Sequence, residues 1–242
     1  MEKLGLYVAV PFCRSKCTFC NFASGVFPAA HHERYVARLE EDLRHIRARA
    51  HKWGAVLPQA ADSIYFGGGT PSLLAPALFR RLFTSLRREF AVMPTAEITV
   101  ECAPGQIEPA VLDMLVECGV NRISFGVQSF IDREAKSIGR LHTRAAALHD
   151  IGRVREAGIS DISVDLIAGL PGQTMNSWFE SLGVLAESGV DHASLYMLEV
   201  DDESRLGREM LAGGGRYRAQ EVPSDDLVAD MYTEAIVFLA GH

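Results

Sequence analysis

Six short apolar segments alternate along the chain with longer segments of helical periodicity, and this alternation constrains the fold most. The predicted strands are nearly continuous runs of apolar residues and cover 4–10, 63–66, 97–100, 121–127, 161–167 and 192–198. Such runs are typical of strands buried on both faces, and hence of parallel strands. The predicted helices cover 31–53, 75–90, 108–118, 143–157, 174–188 and 225–240.

Alternating strands and helices predict an α/β fold with a parallel sheet and helical crossovers. An open doubly wound sheet and a full or partial barrel both satisfy this pattern, and periodicity alone does not separate them. Two of the helices are expected to end at glycine stops, Gly119 and Gly158. The segment 201–224, rich in Asp, Glu, Arg and Gly, is expected to be a surface connection before the last helix.

Cys13, Cys17 and Cys20 crowd into eight residues just after the first predicted strand. Pro11 and Phe12 end that strand, so we expect the cysteines on a loop. No signal-peptide pattern is visible, which favours a cytoplasmic location, where disulfides are rare. The crowding therefore indicates metal or redox chemistry. A structural zinc site is disfavoured because no fourth ligand lies at a usable spacing.

The spacing of this cysteine motif favours a [4Fe–4S] cluster. Gaps of three and two residues let one loop supply three thiolates to a small inorganic core and leave one iron without a protein ligand. That position can accept the amino and carboxylate groups of S-adenosylmethionine (SAM), whose reductive cleavage gives a 5′-deoxyadenosyl radical. The other cysteines, Cys102 and Cys118, are expected to pack as small apolar side chains.

Two further signals lie where predicted strands end. The run Gly67-Gly68-Gly69-Thr70 follows the second strand, and successive glycines permit close backbone approach and expose N–H groups to a ligand, although a plain turn explains a lone glycine run equally well. Glu101, Gln128 and Asp165 lie at the ends of later strands. Parallel α/β folds bind ligands at the carboxyl ends of their strands, so we predict a site there.

Charge and hydropathy exclude some partners. The net charge of −7 argues against nucleic acid as the main partner, because neutralising phosphates requires clustered Lys and Arg. No run of about 18 apolar residues is present, so no membrane span is expected. Contact with a membrane surface stays open.

Five strings of the sequence resemble the oxygen-independent coproporphyrinogen III oxidase-like group of radical SAM proteins, and within it the haem chaperone branch. They are LYVAVPFCRSKCTFCNF, IYFGGGTPSLL, NRISFGVQSF, GRLHT and DLIAGLPGQT, in the family order. The resemblance implies a partial (β/α)6 barrel and so favours the barrel over the doubly wound sheet. It also implies a radical SAM core at 1–200, followed at 201–242 by a connection and the last barrel helix, ending before the usual C-terminal domain of the family.

The same resemblance implies roles for individual residues. Cys13, Cys17 and Cys20 match the cluster ligands. The positions that match SAM contacts are Tyr7, Phe19, Gly68, Gly69, Thr70 and Glu101, and those that match contacts to a second SAM in the oxidase branch are Gln128, Arg140 and Asp165.

One departure within the cysteine motif bears on function. The oxidases continue the motif as Cys-x-Cys, whereas this chain reads Cys20-Asn21-Phe22. In this it is similar to the chaperone branch, which binds haem and passes it to acceptor proteins. The implied partners are haem or a porphyrin, a haem-accepting protein and an electron donor.

Two alternatives remain: a coproporphyrinogen dehydrogenase, and a cluster- or haem-binding module without turnover. The sequence does not choose a haem ligand. Its histidines include His31, His32, His142, His192 and His242, and no spacing selects one of them.

Overall fold

The computed structural model describes residues 2–241 and contains six strands. They are β1 (Lys3–Val10), β2 (Ala60–Gly68), β3 (Ala91–Cys102), β4 (Arg122–Gln128), β5 (Asp161–Ala168) and β6 (His192–Met197). The helices are α1 (Ala29–Lys52), α2 (Pro76–Glu89), α3 (Pro109–Glu117), α4 (Asp132–Ser137), α5 (Arg144–Glu156), α6 (Met175–Glu187), α7 (Arg205–Leu211) and α8 (Asp225–Ala240). Short 3₁₀ segments lie at Pro71–Leu73 and Arg216–Glu221. His242, one of the histidines considered above, lies outside the described residues.

All six strands are parallel, and their order in the sheet follows the chain, from β1 at one edge to β6 at the other. Right-handed crossovers between consecutive neighbours place every connecting helix on the same face of the sheet. A doubly wound sheet would instead reverse its strand order part of the way across. The partial barrel is therefore confirmed, with β1 and β6 as its two edges.

The helix-facing side of the sheet carries the apolar core. Phe66 of β2 is fully buried, and its ring packs against Phe79 and Phe83 of α2 at centroid distances of 5.2 and 5.1 Å. At the other end of the molecule, the buried Trp178 of α6 donates its indole N–H to the carbonyl of Met231 in α8, at 2.7 Å. This contact ties the last helix to the body of the barrel.

The opposite, concave side of the sheet is polar. Side chains alternate between the two faces along each strand, so the residues between the core positions lie on this side. They include Tyr7, Tyr65, Glu101, Ser124 and Asp165, which are contributed by five neighbouring strands. Tyr7 pairs with Tyr65 in register, and Glu101 pairs with Ser124. A polar concave face is suited to binding a ligand rather than to packing.

Three local features refine the sequence-based expectations. Gly119 and Gly158 have φ of +81° and +94°, which confirms both glycine stops. Strand β3 begins at Ala91, earlier than predicted, because the sheet register shifts around Met93-Pro94-Thr95 and the apolar signal is interrupted there. In residues 2–241, no helix is both long and apolar enough to cross a bilayer.

The segment 201–224 is more than the surface connection that its composition suggested. It contains α7, whose Leu206 is fully buried. The N–H of Leu206 donates to the carbonyl of Thr18 at 2.9 Å, and Arg205 donates to the carbonyl of Lys16. Both acceptors belong to the loop that carries the three cysteines, so this segment packs on the predicted site.

Candidate functional site

The cysteine loop, residues 11–28, leaves the carboxyl end of β1 and folds back on itself. The N–H of Cys13 donates to the carbonyl of Gly25, and the N–H of Gly25 donates to the carbonyl of Pro11, both at 2.9 Å. Phe12 is buried beneath this short ladder and stacks on His32 of α1 with a centroid distance of 3.9 Å. The start of the loop is thus fixed against the barrel although it belongs to neither a helix nor the main sheet.

The far side of the cysteine loop is held by residues distant in sequence. The N–H of Thr18 donates to the carbonyl of Ile138 at 3.0 Å. Gly139, next along the chain, comes so close that an added Cβ would lie 3.5 Å from the carbonyl oxygen of Lys16 and 3.8 Å from the Cα of Cys17. Together with α7, these contacts clamp the loop from two sides.

All three thiols of the motif are free and partly exposed. Burial raises the pKa of Cys13, the neighbouring thiols raise it further, and hydrogen bonds from Ser24 and Thr70 oppose the rise. No three His, Cys, Asp or Glu side chains within residues 2–241 converge on a single-ion site. Each ligand of a cubane binds a different iron, so three thiols need not converge on one point. The donor set fits a [4Fe–4S] cluster better than a single metal ion.

The glycine run after β2 packs directly against the cysteine loop. The N–H groups of Gly69 and Thr70 donate to the carbonyls of Val10 and Phe12 at 2.8 and 2.7 Å. An added Cβ on Gly69 would lie 2.6 Å from the Phe12 carbonyl oxygen. The expectation that this run presents free N–H groups to a ligand is therefore wrong for these two residues, because their N–H groups bond the protein itself and the missing side chain allows two loops to meet.

Glu101, at the end of β3, is held through both carboxylate oxygens. The Tyr65 hydroxyl donates to Oε1 at 2.9 Å, and the N–H of Gly68 donates to Oε2 at 3.0 Å. The N–H of Gly68, a third N–H of this run, is therefore also bonded within the protein. Burial raises the pKa of Glu101 despite these two hydrogen bonds, and the nearby Asp165 adds to the rise while Arg140 opposes it.

Tyr65 is a member of this group that the sequence analysis did not assign to the site. Its ring stacks on that of Tyr7, with centroids 5.7 Å apart and an interplanar angle of 14°. Tyr7 is 63% exposed and presents its ring on the concave face. The signal for Tyr65 was available in the period of two along β2, which places it on the same face as Gly67.

Arg140 and Gln128 meet at the end of β4. Arg140 donates to the carbonyl of Gly126, where a side chain would collide with the guanidinium group. Gln128 has φ of +70°, in the left-handed region that glycine favours, and the register with β5 shifts between Gly126 and Gln128. The buried Nε of Arg140 has no hydrogen-bond partner in the described chain, so one donor of this cationic side chain is unsatisfied at the strained strand end.

Asp165 lies beside this group on β5. Burial raises the pKa of Asp165, while hydrogen bonds from Ser194 and Ser124 and the charge of Arg140 lower it. The Ser124 hydroxyl lies 3.3 Å from Oδ1 of Asp165. Gln128, Arg140 and Asp165, which the resemblance grouped together, therefore lie side by side; they belong to β4, the connection between α4 and α5, and β5.

Phe19 is partly buried against a small apolar cluster formed by Ile138, Ile167 and Leu170. Its contacts therefore anchor the loop to the end of α4 and to the carboxyl end of β5. Cys102 and Cys118 are both buried and pack within the main core, as the sequence predicted, and burial raises the pKa of Cys102 to about 12.

Comparison with known proteins gives consistent similarities. The chain is 32% identical to the "Heme chaperone HemW" of Lactococcus lactis over 98% of its own length and 58% of that protein. It is 29% identical to the protein of the same name from Haemophilus influenzae, over its full length and 61% of that protein. Among solved structures, the coproporphyrinogen III oxidase (HemN) from Escherichia coli superposes with a TM-score of 0.83 at 31% identity, covering 99% of this chain and 52% of the oxidase.

These relatives are longer than the protein described here, which spans between half and two thirds of each. The sequence model of the Radical SAM superfamily matches residues 7–185, well over half of the chain. Membership of that superfamily implies a [4Fe–4S] cluster and SAM. Given this match, the parallel half-barrel and the three-cysteine loop at its mouth, the chain belongs to the radical SAM superfamily.

Proposed function

We propose that this protein is a haem chaperone of the radical SAM type, which binds haem and transfers it to an acceptor protein. Two relatives that carry the name "Heme chaperone HemW" match nearly the whole chain and support this function. The single observation that carries the choice is Phe22, which stands where oxidases of the group have a further cysteine. Phe22 is 62% exposed, so the apolar ring lies open to solvent at the mouth of the cysteine loop.

The cofactor site of this proposal is the carboxyl edge of the sheet. Cys13, Cys17 and Cys20 would hold the cluster, which supplies the electron that splits the sulfonium of SAM. The SAM contacts would be Tyr7, Phe19, Gly68, Gly69, Thr70 and Glu101.

The chain's own groups suit a zwitterionic nucleotide. The Glu101 carboxylate can accept hydrogen bonds from an amino group or a ribose, and the exposed Tyr7 ring can stack on an adenine. The partly exposed guanidinium group of Arg140 can donate to a carboxylate. Gln128, Arg140 and Asp165 form the neighbouring part of the concave face, where a second SAM would bind if the oxidase arrangement were kept.

The proposal also assigns a part of the fold to each of two segments of the chain. Residues 1–200 would form the radical SAM core, and residues 201–242 would add a connection and the last barrel helix. The contact of α7 with the cysteine loop supports the inclusion of the second segment in the proposed cofactor site. An electron donor and a haem-accepting protein complete the expected partners.

The second candidate function is a coproporphyrinogen dehydrogenase, and the observation that favours it is the structural match to the Escherichia coli oxidase. In that reaction a radical abstracts a hydrogen atom from each of two propionate side chains, which then lose carbon dioxide. A third candidate is a cluster- or haem-binding module without turnover.

One experiment separates the three candidates. The protein is reconstituted with iron and sulfide without oxygen, and is then given coproporphyrinogen III, SAM and a reductant. A chaperone is expected to leave the porphyrinogen unchanged and to bind added haemin with a shifted absorbance maximum. Stoichiometric protoporphyrinogen would overturn the chaperone and establish the oxidase. A cluster-loaded protein that forms no 5′-deoxyadenosine would favour the module without turnover.

Phe22→Cys provides a matched variant, because it restores the Cys-x-Cys spacing without touching the three cluster ligands. Because Phe22 identifies the chaperone branch and is not itself the reacting group, this substitution is expected to leave cluster content unchanged and still to form no protoporphyrinogen. Cys17→Ser is the control that removes the cluster.

A further inference from the structure

Ser24 lies beside the thiol of Cys20, although nothing in the sequence marks it as part of the site. Its position is set by the backbone ladder on either side of Gly25, which pairs with Pro11 and Cys13 through hydrogen bonds of 2.9 Å. The N–H of Ser24 itself donates to the carbonyl of Phe22 at 2.7 Å. These hydrogen bonds fix the turn, so the Ser24 side chain is held in one position.

The hydroxyl of Ser24 contacts one of the three sulfurs. Its Oγ lies 4.0 Å from Sγ of Cys20, within the range of a hydrogen bond to sulfur, and either atom can be the donor while the thiol is protonated. Both side chains are partly buried at this contact.

The direction of these hydrogen bonds follows from which atoms carry protons. A hydroxyl has one proton to donate, whereas a free thiol can either donate or accept. Once Cys20 binds iron as a thiolate it carries no proton, so a hydrogen bond with Ser24 must run from the hydroxyl to sulfur. Hydrogen bonds to an ionised acceptor are roughly twice as strong as neutral ones.

We propose that Ser24 is a positioning residue that donates a hydrogen bond to the Cys20 thiolate and thereby raises the reduction potential of the cluster. This inference rests on the cluster binding proposed above. Reduction adds negative charge that spreads onto the ligand sulfurs, so a donor to sulfur stabilises the reduced form more than the oxidised form. Hydrogen bonds to the sulfurs are among the factors that set the potentials of iron–sulfur clusters.

The test uses Ser24→Ala, which removes the donor, and Ser24→Thr, which keeps a hydroxyl at the same atom. Ser15→Ala is the matched control, because Ser15 belongs to the same loop but its Oγ faces Gly139. Iron and sulfide are counted for each reconstituted protein, and the midpoint potential is measured by redox titration followed by electron paramagnetic resonance.

Ser24→Ala is expected to retain four irons and to shift the potential to a more negative value, while Ser24→Thr and Ser15→Ala keep the wild-type value. Equal potentials for wild type and Ser24→Ala, both with four irons, would overturn the proposal. A structural role alone would change iron content or stability but not the potential of the protein that is fully loaded.

A second measurement decides the matter if Ser24→Ala does not retain its cluster. Resonance Raman spectra of the wild-type cluster are recorded in water and in deuterium oxide. A shift of the iron–thiolate stretching bands, kept in Ser24→Thr, supports the hydroxyl donor, and unshifted bands overturn it. A wild-type protein that binds no cluster would overturn the cofactor assignment and this inference together, whereas failure of haem transfer alone would leave this inference standing.

Discussion

Tyr65 on β2 holds Glu101 on the neighbouring strand β3 by donating its hydroxyl to Oε1 at 2.9 Å. The N–H of Gly68 holds the other oxygen from the end of the same β2 strand. The carboxylate is thus oriented by two donors from one neighbouring strand before any ligand arrives. Such support by surrounding groups keeps a binding residue in its productive geometry.

Removing the Tyr65 hydroxyl should weaken SAM binding without touching a group that contacts the cluster. Tyr65→Phe leaves one carboxylate oxygen without its donor, and a lost hydrogen bond of this kind costs about 1 kcal/mol, or roughly a fivefold rise in Kd. Glu101→Gln should weaken binding further, because it removes the charge itself. Calorimetric titration of the cluster-loaded protein with SAM, without oxygen, measures both effects.

Tyr232→Phe, which removes a hydroxyl from α8, is the control for this series. The expected order of affinity is wild type equal to Tyr232→Phe, then Tyr65→Phe, then Glu101→Gln. Unchanged SAM affinity in Glu101→Gln, with four irons present, would remove the carboxylate from the site.

The cluster ligands give a prediction that does not depend on SAM. Cys17→Ser should abolish the cluster, because a cubane with one vacant corner needs its other three irons bound by the protein. Cys118→Ala is the matched control, since this cysteine is buried against Met114 in the core, with its Sγ 3.8 Å from the methionine sulfur. Iron, sulfide and the brown absorbance are measured after reconstitution. A Cys17→Ser protein with its full iron content would contradict the assignment.

The sequence predicted the parallel sheet and the position of the site at the carboxyl ends of its strands, because both features depend on local patterns. The apolar runs fixed six strands, and Gly119 and Gly158 marked helix ends through the left-handed backbone conformation that glycine adopts without strain. Residues at the ends of parallel strands share one edge of the sheet, so Glu101, Gln128 and Asp165 could be placed together without knowing any distance.

What the sequence did not predict depends on contacts between distant segments. Leu206 and Arg205 contact the cysteine loop although they lie far from it in the sequence. Helix α7, which carries them, is too short for its periodicity to be recognised. The role of Gly69 also depends on such a contact, because the carbonyl of Phe12 decides how much space is left there. Neither relationship has a signal in the local sequence.

The close approach of the two loops yields a stability prediction. Gly69→Ala places a Cβ 2.6 Å from the Phe12 carbonyl oxygen, so the loops must separate, at a cost of about 1–3 kcal/mol of unfolding free energy. Gly183→Ala in α6 is the matched control, because nothing lies within 4 Å of its added Cβ. That substitution should stabilise the protein by about 0.5–1 kcal/mol through helix propensity.

Urea unfolding of the three proteins without cluster measures these differences directly. The two glycine substitutions add the same methyl group. Changes of opposite sign in the free energy of unfolding would therefore isolate the effect of the contact with the cysteine loop. A Gly69→Ala protein as stable as the wild type would show that the two loops are not packed as described.

His142 makes the stability of the fold depend on pH in a defined window. Burial, together with the charge of Arg140, lowers the pKa of this histidine to about 4 from the ordinary value of 6.5. Above pH 6.5 the ring is neutral in both the folded and unfolded chain, and it contributes no pH dependence. Between pH 6.5 and about 4 the unfolded chain binds a proton that the folded chain does not, so the free energy of unfolding falls as the pH falls.

The size of this effect follows from the pKa difference. Lowering the pH from 7.5 to 5 should remove about 2 kcal/mol of stability through His142, since each pH unit in the window corresponds to about 1.4 kcal/mol. His142→Gln should abolish this part of the loss, because the amide does not titrate. His149→Gln is the matched control, since it makes the same substitution at an exposed position of α5. Urea unfolding at pH 7.5 and at pH 5 measures the loss of unfolding free energy for each protein. An equal loss in wild type and His142→Gln would show that the buried ring is not held neutral by the fold.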